Sequence, residues 1–326
     1  MSEPLLSVHD ARVGFNTPRG LLRAVDGVSF ELNQGRTLGV VGESGSGKSV
    51  LVRSLIGLVA ANGFTTIGGS VKFEGRDLRS LPDAQMRAVL GSEIGIVFQD
   101  PMTSLNPVMK IGTQIGEGLR RNRGLDAAAA LKRSIELLAE VGIPEPERRA
   151  GQYPHELSGG MRQRVAIAIA IACEPKLLIA DEPTTALDVT VQRQILDLLQ
   201  REQRQRGMAM ILITHDLGVA AGRADDIMVM YAGRAVEKAA TRDIFRQPRM
   251  PYTEALLRSL PRLTDAAHTR LQAIPGRPPD AARLGPGCAF APRCPYRTDM
   301  CDAERPDLTM DGRRGFACFH PVGQGA

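Results

Sequence analysis

The chain has 326 residues, 43% of them hydrophobic and 24% charged, enough for one large domain or two smaller ones around a buried core. Its net charge of +5 is mild and the basic residues are scattered, which argues against a dedicated nucleic-acid binder with a basic stripe. The opening residues, MSEPLLSVHDARVGF, show no charged segment followed by a long apolar one, and the apolar run Val165 to Cys173 is about half what a membrane-spanning helix needs. No signal peptide is expected, the chain is expected to be cytoplasmic, and any membrane association is expected to come through a partner.

Residues 5–15 and 24–32 read as strands, and Arg36 to Val41 as a β-rich run. That run leads directly into Gly42-Glu43-Ser44-Gly45-Ser46-Gly47-Lys48-Ser49, a complete G-x-x-x-x-G-K-[ST] pattern, and Ser49 to Leu58 follows with apolar residues at helical spacing. Strand, glycine-rich turn and helix are the context that separates a phosphate loop from an ordinary glycine turn. The glycines let successive N–H groups curl around phosphate oxygens, and the helix N-terminus adds positive potential. Lys48 supplies a point charge for the β- and γ-phosphates, and the Ser49 hydroxyl is placed to ligate Mg²⁺.

Further along, residues 70–78 read as a hairpin strand, and Ile94 to Phe98 as another that ends at Gln99-Asp100-Pro101. From Thr113 to Gly142 the pattern turns helical, with Leu131, Ile135, Leu138 and Val141 expected to form a core stripe. Pro144, Pro146 and Pro154 then break the helices ahead of Leu157-Ser158-Gly159-Gly160. Ser158 is expected to cap an apolar helix reaching Ala172, exposing N–H groups to phosphate. Leu177 to Ala180 reads as a buried strand ending in Asp181 and Glu182, an arrangement in which the Asp can hold the Mg²⁺ shell and the Glu can polarise a water for attack on a γ-phosphate. A helix from Val189 to Arg206 and a strand from Met210 to Ile213 follow, delivering His215 at the strand end. His9, His155, His268 and His320 are read as structural.

The composition shifts after about residue 250. Residues 251–326 hold 10 of the 21 prolines and four of the five cysteines, Cys288, Cys294, Cys301 and Cys318, spaced C-x5-C-x6-C-x16-C. Clustered cysteines in a cytoplasmic chain point to a metal site rather than disulfides. No gap matches the C-x2-C of common zinc modules, and spacing alone leaves zinc and an iron–sulfur cluster both open. Cys173, at the end of an apolar helix, reads as a buried thiol.

A phosphate loop, then LSGG, then an apolar strand ending in Asp-Glu resembles the ATP-binding cassette (ABC) ATPases. The segments Phe98-Gln99-Asp100-Pro101-Met102, His155 to Arg164, and Asp181 to Thr190 strengthen that likeness. Pro251 to Leu257, with Gly287-Cys288 and Arg293-Cys294, makes the whole chain similar to the ATPase subunit of bacterial dipeptide/oligopeptide importers. The resemblance implies an α/β fold, with a RecA-like core, a β subdomain and a helical signature lobe at about residues 103–173. It also implies an ATPase domain over residues 1–250 and a small irregular Cys-rich extension over residues 251–326.

The same resemblance implies ATP bound by Gly42 to Val50, with Phe15 stacking on adenine unless it is a core residue. Ser158, Gly159 and Gly160 would serve the nucleotide of a second subunit. Gln99 would contact Mg²⁺ and the attacking water, His215 would sense the γ-phosphate beside the base Glu182, and Asp188 would bridge the two subunits. Some members carry a [4Fe-4S] cluster in this tail, which places one on the four cysteines, with Zn²⁺ as the alternative. The implied partners are two transmembrane permeases, a second ABC ATPase (homologous, or a copy of this chain) and indirectly an extracytoplasmic solute-binding protein, at the cytoplasmic face of the plasma membrane. No nucleic acid is expected. Nickel, glutathione and other small-solute importers share the architecture. The DNA-repair relatives insert a long coiled coil where only about a hundred residues lie here, translation-associated ones carry two cassettes, and LSGG excludes a P-loop kinase.

Overall fold

A computed structural model describes residues 3–59, 62–100, 104–185, 187–260 and 273–323. Pro101, Met102, Thr103, Ala186 and His268, all used in the sequence reading, lie outside the described residues. Along the chain the elements begin with β1 (Leu6–Thr17), β2 (Gly20–Leu32), β3 (Thr37–Val41), α1 (Lys48–Leu55), β4 (Thr65–Phe73), β5 (Arg76–Asp77), α2 (Asp83–Ser92) and β6 (Ile94–Val97). Then come α3 (Ile111–Arg123), α4 (Ala127–Glu140), α5 (Pro146–Ala150), α6 (Gly159–Ile171), β7 (Leu177–Asp181), α7 (Val189–Arg206) and β8 (Ala209–Thr214). The last are α8 (Leu217–Ala221), β9 (Asp226–Tyr231), β10 (Arg234–Ala240), α9 (Thr241–Arg246), α10 (Pro251–Arg258), α11 (Asp299–Ala303), β11 (Thr309–Asp311) and β12 (Arg314–Phe316). These fall into two compact units, one of Met1–Leu32, Thr37–Arg79 and Thr214–Ala326, the other of Asn33–Arg36 and Ser80–Ile213.

In the first unit, β1 pairs antiparallel with both β2 and β4, setting Leu6 opposite Leu32 and Phe73, and Val8 opposite Phe30 and Val71. Alternate apolar residues along these strands are buried and those between them face outward, the period-two pattern of a half-covered antiparallel sheet. Strand β3 differs. All five of its residues are buried, and it runs parallel to β9 with Val41 opposite Val229, which is why its sequence is continuously apolar. Its C-terminal end opens into Gly42–Gly47, and α1 begins at Lys48.

The Cys-rich tail belongs to this unit and is more regular than its proline content suggests. Strand β12 pairs antiparallel with β10, and β11 pairs with β12, so the tail extends an existing edge. The fully buried carboxylate of Glu237 on β10 locks this attachment. It accepts the N–H groups of Arg249 and Met250 at 2.8 and 2.9 Å and the Arg314 guanidinium at 3.1 Å, enough partners to offset its desolvation. Tyr231, Tyr252 and Phe290 pack ring against ring at centroid separations of 4.5–5.4 Å beside this joint, and Cys288, Cys294 and Cys318 border the same apolar cluster.

In the second unit, β6, β7 and β8 run parallel, with Val97 opposite Ala180 and Asp181 opposite Ile213. Helix α3 buries Ile111, Ile115 and Leu119 at i, i+4 and i+8 and ends at Gly124 in the left-handed conformation that favours glycine. Asp126 then caps α4 by accepting the Ala129 N–H at 2.8 Å. The buried face of α4 corrects the expected stripe. Ala130, Ser134, Leu137 and Leu138 are buried, with Val141 just beyond, whereas Leu131 is 48% exposed. Ser134 can occupy the core because its hydroxyl donates to the Ala130 carbonyl at 2.7 Å, which removes the cost that a hydrophobicity pattern assigns to a buried serine.

Candidate nucleotide site

The phosphate loop lies in the first unit. Gly42 and Gly47 have φ of +159° and +99°, and a Cβ at either would sit 2.2 Å from the Met230 carbonyl or 2.1 Å from the Ala24 carbonyl. The loop is threaded between β9 and β2 so tightly that glycine is required at both positions on contact grounds alone. The Ser46 carbonyl accepts the Gly233 N–H at 3.0 Å, fixing the loop's far side to the β9–β10 turn. Gly47 is the N-cap of α1, and no side chain of the described residues caps the helix there.

Two features of this loop suit an anionic ligand. Lys48 is buried, and its ammonium donates to the carbonyls of Gly42 at 2.7 Å and Glu43 at 3.0 Å, a position from which it can turn to a phosphate. The Ser46 hydroxyl oxygen is buried with no hydrogen-bond partner among the described residues, a costly state that a phosphate oxygen would relieve. Glu43 is tied into the protein at its side chain as well. Its carboxylate takes both terminal nitrogens of Arg293, at 2.6 and 2.9 Å, and its N–H donates to the Tyr252 hydroxyl at 2.9 Å. Phe15, on β1, is partly buried opposite Leu22 and Thr65. His215 is exposed just past the end of β8, before Asp216, which caps α8 by accepting the Gly218 N–H at 2.7 Å.

The second unit carries the other candidates. Asp181 is buried at the end of β7, and Glu182 follows in the left-handed region at φ +46°, a backbone state that costs a non-glycine residue about 1–3 kcal/mol and is found at functional sites. Its carboxylate accepts the Gln99 side-chain amide at 3.3 Å and the Thr185 hydroxyl at 3.1 Å, so residues from the ends of β6 and β7 meet on one oxygen. Thr185 escaped the sequence reading; its position in the stretch after Asp-Glu was the available signal.

Ser158 caps α6 through the Met161 N–H at 3.4 Å. The arginines after the glycines hold the segment in place: Arg162 donates to the Pro154 carbonyl at 2.7 Å, and Arg164 to the Val141 carbonyl at 2.6 Å. Asp188 caps α7 through the Val191 N–H at 2.9 Å and is itself exposed.

Cys288, Cys294, Cys301 and Cys318 line a single pocket together with Pro251, Phe290 and His320. All are free thiols. Burial pushes the thiols of Cys288 and Cys294 up and that of Cys318 to about 11, with neighbouring cysteines adding to each. Among the described residues, no three His, Cys, Asp or Glu side chains are arranged to hold one metal ion. Cys173 is buried in the second unit, and burial raises its pKa as well.

Comparison with known proteins decides the family. Residues 25–185 match the ABC transporter family, and residues 236–301 match the oligopeptide/dipeptide transporter C-terminal region. The chain is 50% identical to the oligopeptide transport ATP-binding protein OppD of Salmonella typhimurium, over 98% of this chain and 94% of that protein. It is 50% identical to the dipeptide transport ATP-binding protein DppD of Bacillus subtilis, over 94% of this chain and 92% of that protein. The chain belongs to the ATP-binding subunits of oligopeptide and dipeptide ABC transporters. Among solved structures, the ATP-binding cassette MJ0796, a dimer in a post-hydrolysis state bound to ADP and Pi, shares 27% identity and a TM-score of 0.65 over 73% of this chain and 99% of that one. CbiO1 from Clostridium perfringens, part of the transporter complex cbiONQ, shares 28% identity and a TM-score of 0.62 over 75% of this chain and 91% of that one.

As a member of this family the chain is an ATPase whose hydrolysis is coupled to transport, with ATP and Mg²⁺ as its nucleotide and ion. The family works with transmembrane permeases. Among the described residues no helix of this chain is long and apolar enough to cross a membrane.

Proposed function

We propose that this chain powers uptake of di- and oligopeptides, as a peripheral subunit on the cytoplasmic face of the plasma membrane. The observation that carries the peptide cargo is the match of residues 236–301 to the oligopeptide/dipeptide transporter C-terminal region, on top of a cassette shared by ABC proteins generally. Residues 1–250 form the ATPase domain and residues 251–326 the extension. In the working complex two such ATPases, this chain with a sister subunit or a second copy, pair head to tail beneath two permeases that receive solute from an extracytoplasmic binding protein. Each nucleotide lies between Gly42–Val50 of one subunit and Ser158–Gly160 of the other, with Asp188 bridging the pair and Phe15 against the adenine.

Ser49, Gln99 and Asp181 supply only oxygen donors, the set that suits Mg²⁺, which when bound offsets phosphate charge. Glu182 takes the proton of the attacking water, held in place by Gln99 and Thr185, while His215 reports the γ-phosphate. The test is an affinity pull-down of the full chain from detergent-solubilised membranes. Two polytopic permeases are expected to co-purify, and recovery with nucleic acid or ribosomes alone would refute the importer reading. A nickel or glutathione permease pair would keep the importer and replace the cargo.

The four tail cysteines are proposed to hold a [4Fe-4S] cluster rather than zinc. What supports a shared site is that all four line one pocket. The preference for a cluster over zinc rests on the likeness to family members that carry one in this tail, since the spacing of the four thiols suits either. Such a centre would supply metal–thiolate bonds that cross-link positions 6 to 30 residues apart along the tail. Anaerobically purified protein is expected to be brown, with iron and acid-labile sulfide near four per chain. A colourless protein with one zinc per chain would exclude the cluster.

A further inference from the structure

We infer that Arg293, in the Cys-rich extension, is a positioning residue of the phosphate loop: its bidentate pairing with Glu43 neutralises and holds the loop's own carboxylate. Three separate groups grip Glu43. Arg293 donates to both carboxylate oxygens at 2.6 and 2.9 Å, the Tyr252 hydroxyl accepts the Glu43 N–H at 2.9 Å, and Lys48 donates to its carbonyl at 3.0 Å. Arg293 is itself fixed, only 7% exposed, with Nε on the Pro275 carbonyl at 2.8 Å, a terminal nitrogen on the Tyr231 hydroxyl at 3.2 Å, and the rings of Tyr231 and Phe290 each 5.9 Å away. Every hydrogen-bonding nitrogen of that fork therefore has a direction imposed on it, unlike a mobile surface ion pair. The two residues are 250 positions apart, and Arg293 immediately precedes Cys294 of the thiol pocket.

The electrostatics give this contact a functional sense. A carboxylate inside a loop that must receive an anionic polyphosphate works against binding unless a cation neutralises it. Lys48, whose ammonium lies on the Gly42 and Glu43 carbonyls, cannot also neutralise that carboxylate once it turns to the phosphates. Arg293 takes the carboxylate over, and so leaves Lys48 and the loop N–H groups for the ligand. The extension is thereby part of the support of the nucleotide site, not an appendage to a complete cassette.

The inference rests on the reading of Gly42–Ser49 as the ATP-binding loop. The experiment uses the full chain, a fluorescent ATP analogue for Kd, and steady-state ATPase kinetics. Arg293→Ala is expected to weaken analogue binding about tenfold and raise KM for ATP in proportion, with kcat little changed. Adding Glu43→Gln to Arg293→Ala removes the unpaired carboxylate, and should restore Kd to within about threefold of the parent. Arg293→Lys, which keeps the charge and loses the fork, should fall between. Parent-like binding by Arg293→Ala would overturn the inference, and so would a double variant as weak as the single one, since that pattern marks a contact that only stabilises the fold. Thermal unfolding of each variant guards against loss of structure, and Arg293→Lys carries the test if Arg293→Ala does not fold. A parent chain that binds no analogue would instead remove the reading of the loop itself.

Discussion

Glu182→Gln will bind ATP as the parent does and hydrolyse it about 10²–10⁴-fold more slowly, the range a positioned general base contributes. The amide has the shape of the carboxylate and keeps an oxygen for the Thr185 hydroxyl and the Gln99 amide, so the local structure survives while the basic group is lost. The left-handed backbone at residue 182 is unchanged by the substitution, which makes strain relief a poor alternative explanation of any rate loss. Because binding persists without turnover, the nucleotide-bound dimer should accumulate and be visible by size-exclusion chromatography with ATP and Mg²⁺. Turnover at the parent rate would remove Glu182 from the role of base and shift attention to its two hydrogen-bond partners.

Tyr252→Ala will destabilise the first unit by about 3–5 kcal/mol, the cost of deleting a fully buried aromatic ring. The ring sits 4.5 Å from Tyr231 and 5.3 Å from Phe290, at the joint where the tail meets the phosphate loop. Burial raises the pKa of its hydroxyl well above the ordinary tyrosine value, so the group stays neutral while it accepts the Glu43 N–H. Tyr252→Phe isolates the hydroxyl: the ring stays, the Glu43 N–H loses its acceptor, and a loss of about 1–3 kcal/mol is expected. Thermal unfolding reads both, with a fall in Tm of several degrees for the alanine variant and a smaller fall for phenylalanine. Equal losses in the two would show that the hydrogen bond, not the ring packing, holds the joint.

Much of the site was legible along the chain because its signals are local. Gly42 to Ser49 sits between a continuously apolar strand and a helical pattern, and the structure places it between β3 and α1. Ser158 and Asp188 were recognisable in motifs, and both prove to be helix caps, a use that depends only on N–H groups three residues ahead. The burial of α4 was read less well. Leu131 looked like core and is exposed, whereas Ser134 looked polar and is buried, because a serine hydroxyl bonded to the carbonyl four residues back no longer counts as a polar surface. The ten prolines of the tail suggest an irregular chain, and its pairing of β12 onto β10 joins Glu237 to Phe316 and Lys238 to Gly315, residues far apart in the sequence that carry no shared pattern.

The sequence alone therefore determined the types of chemistry present: a phosphate loop, an Asp-Glu pair closing an apolar strand, an LSGG helix cap and four thiols in one tail. Each is written within a stretch of about ten residues or in simple composition, where backbone preference and side-chain spacing act directly. Only the tertiary structure decided which groups meet. It put Gln99 and Thr185 on the Glu182 carboxylate, gathered four dispersed cysteines around one pocket, and matched Arg293 to Glu43 across 250 residues. A charge carries no mark of its partner in the chain; the partner is chosen when burial makes an unpaired carboxylate or guanidinium too costly and the fold brings an opposite charge within reach.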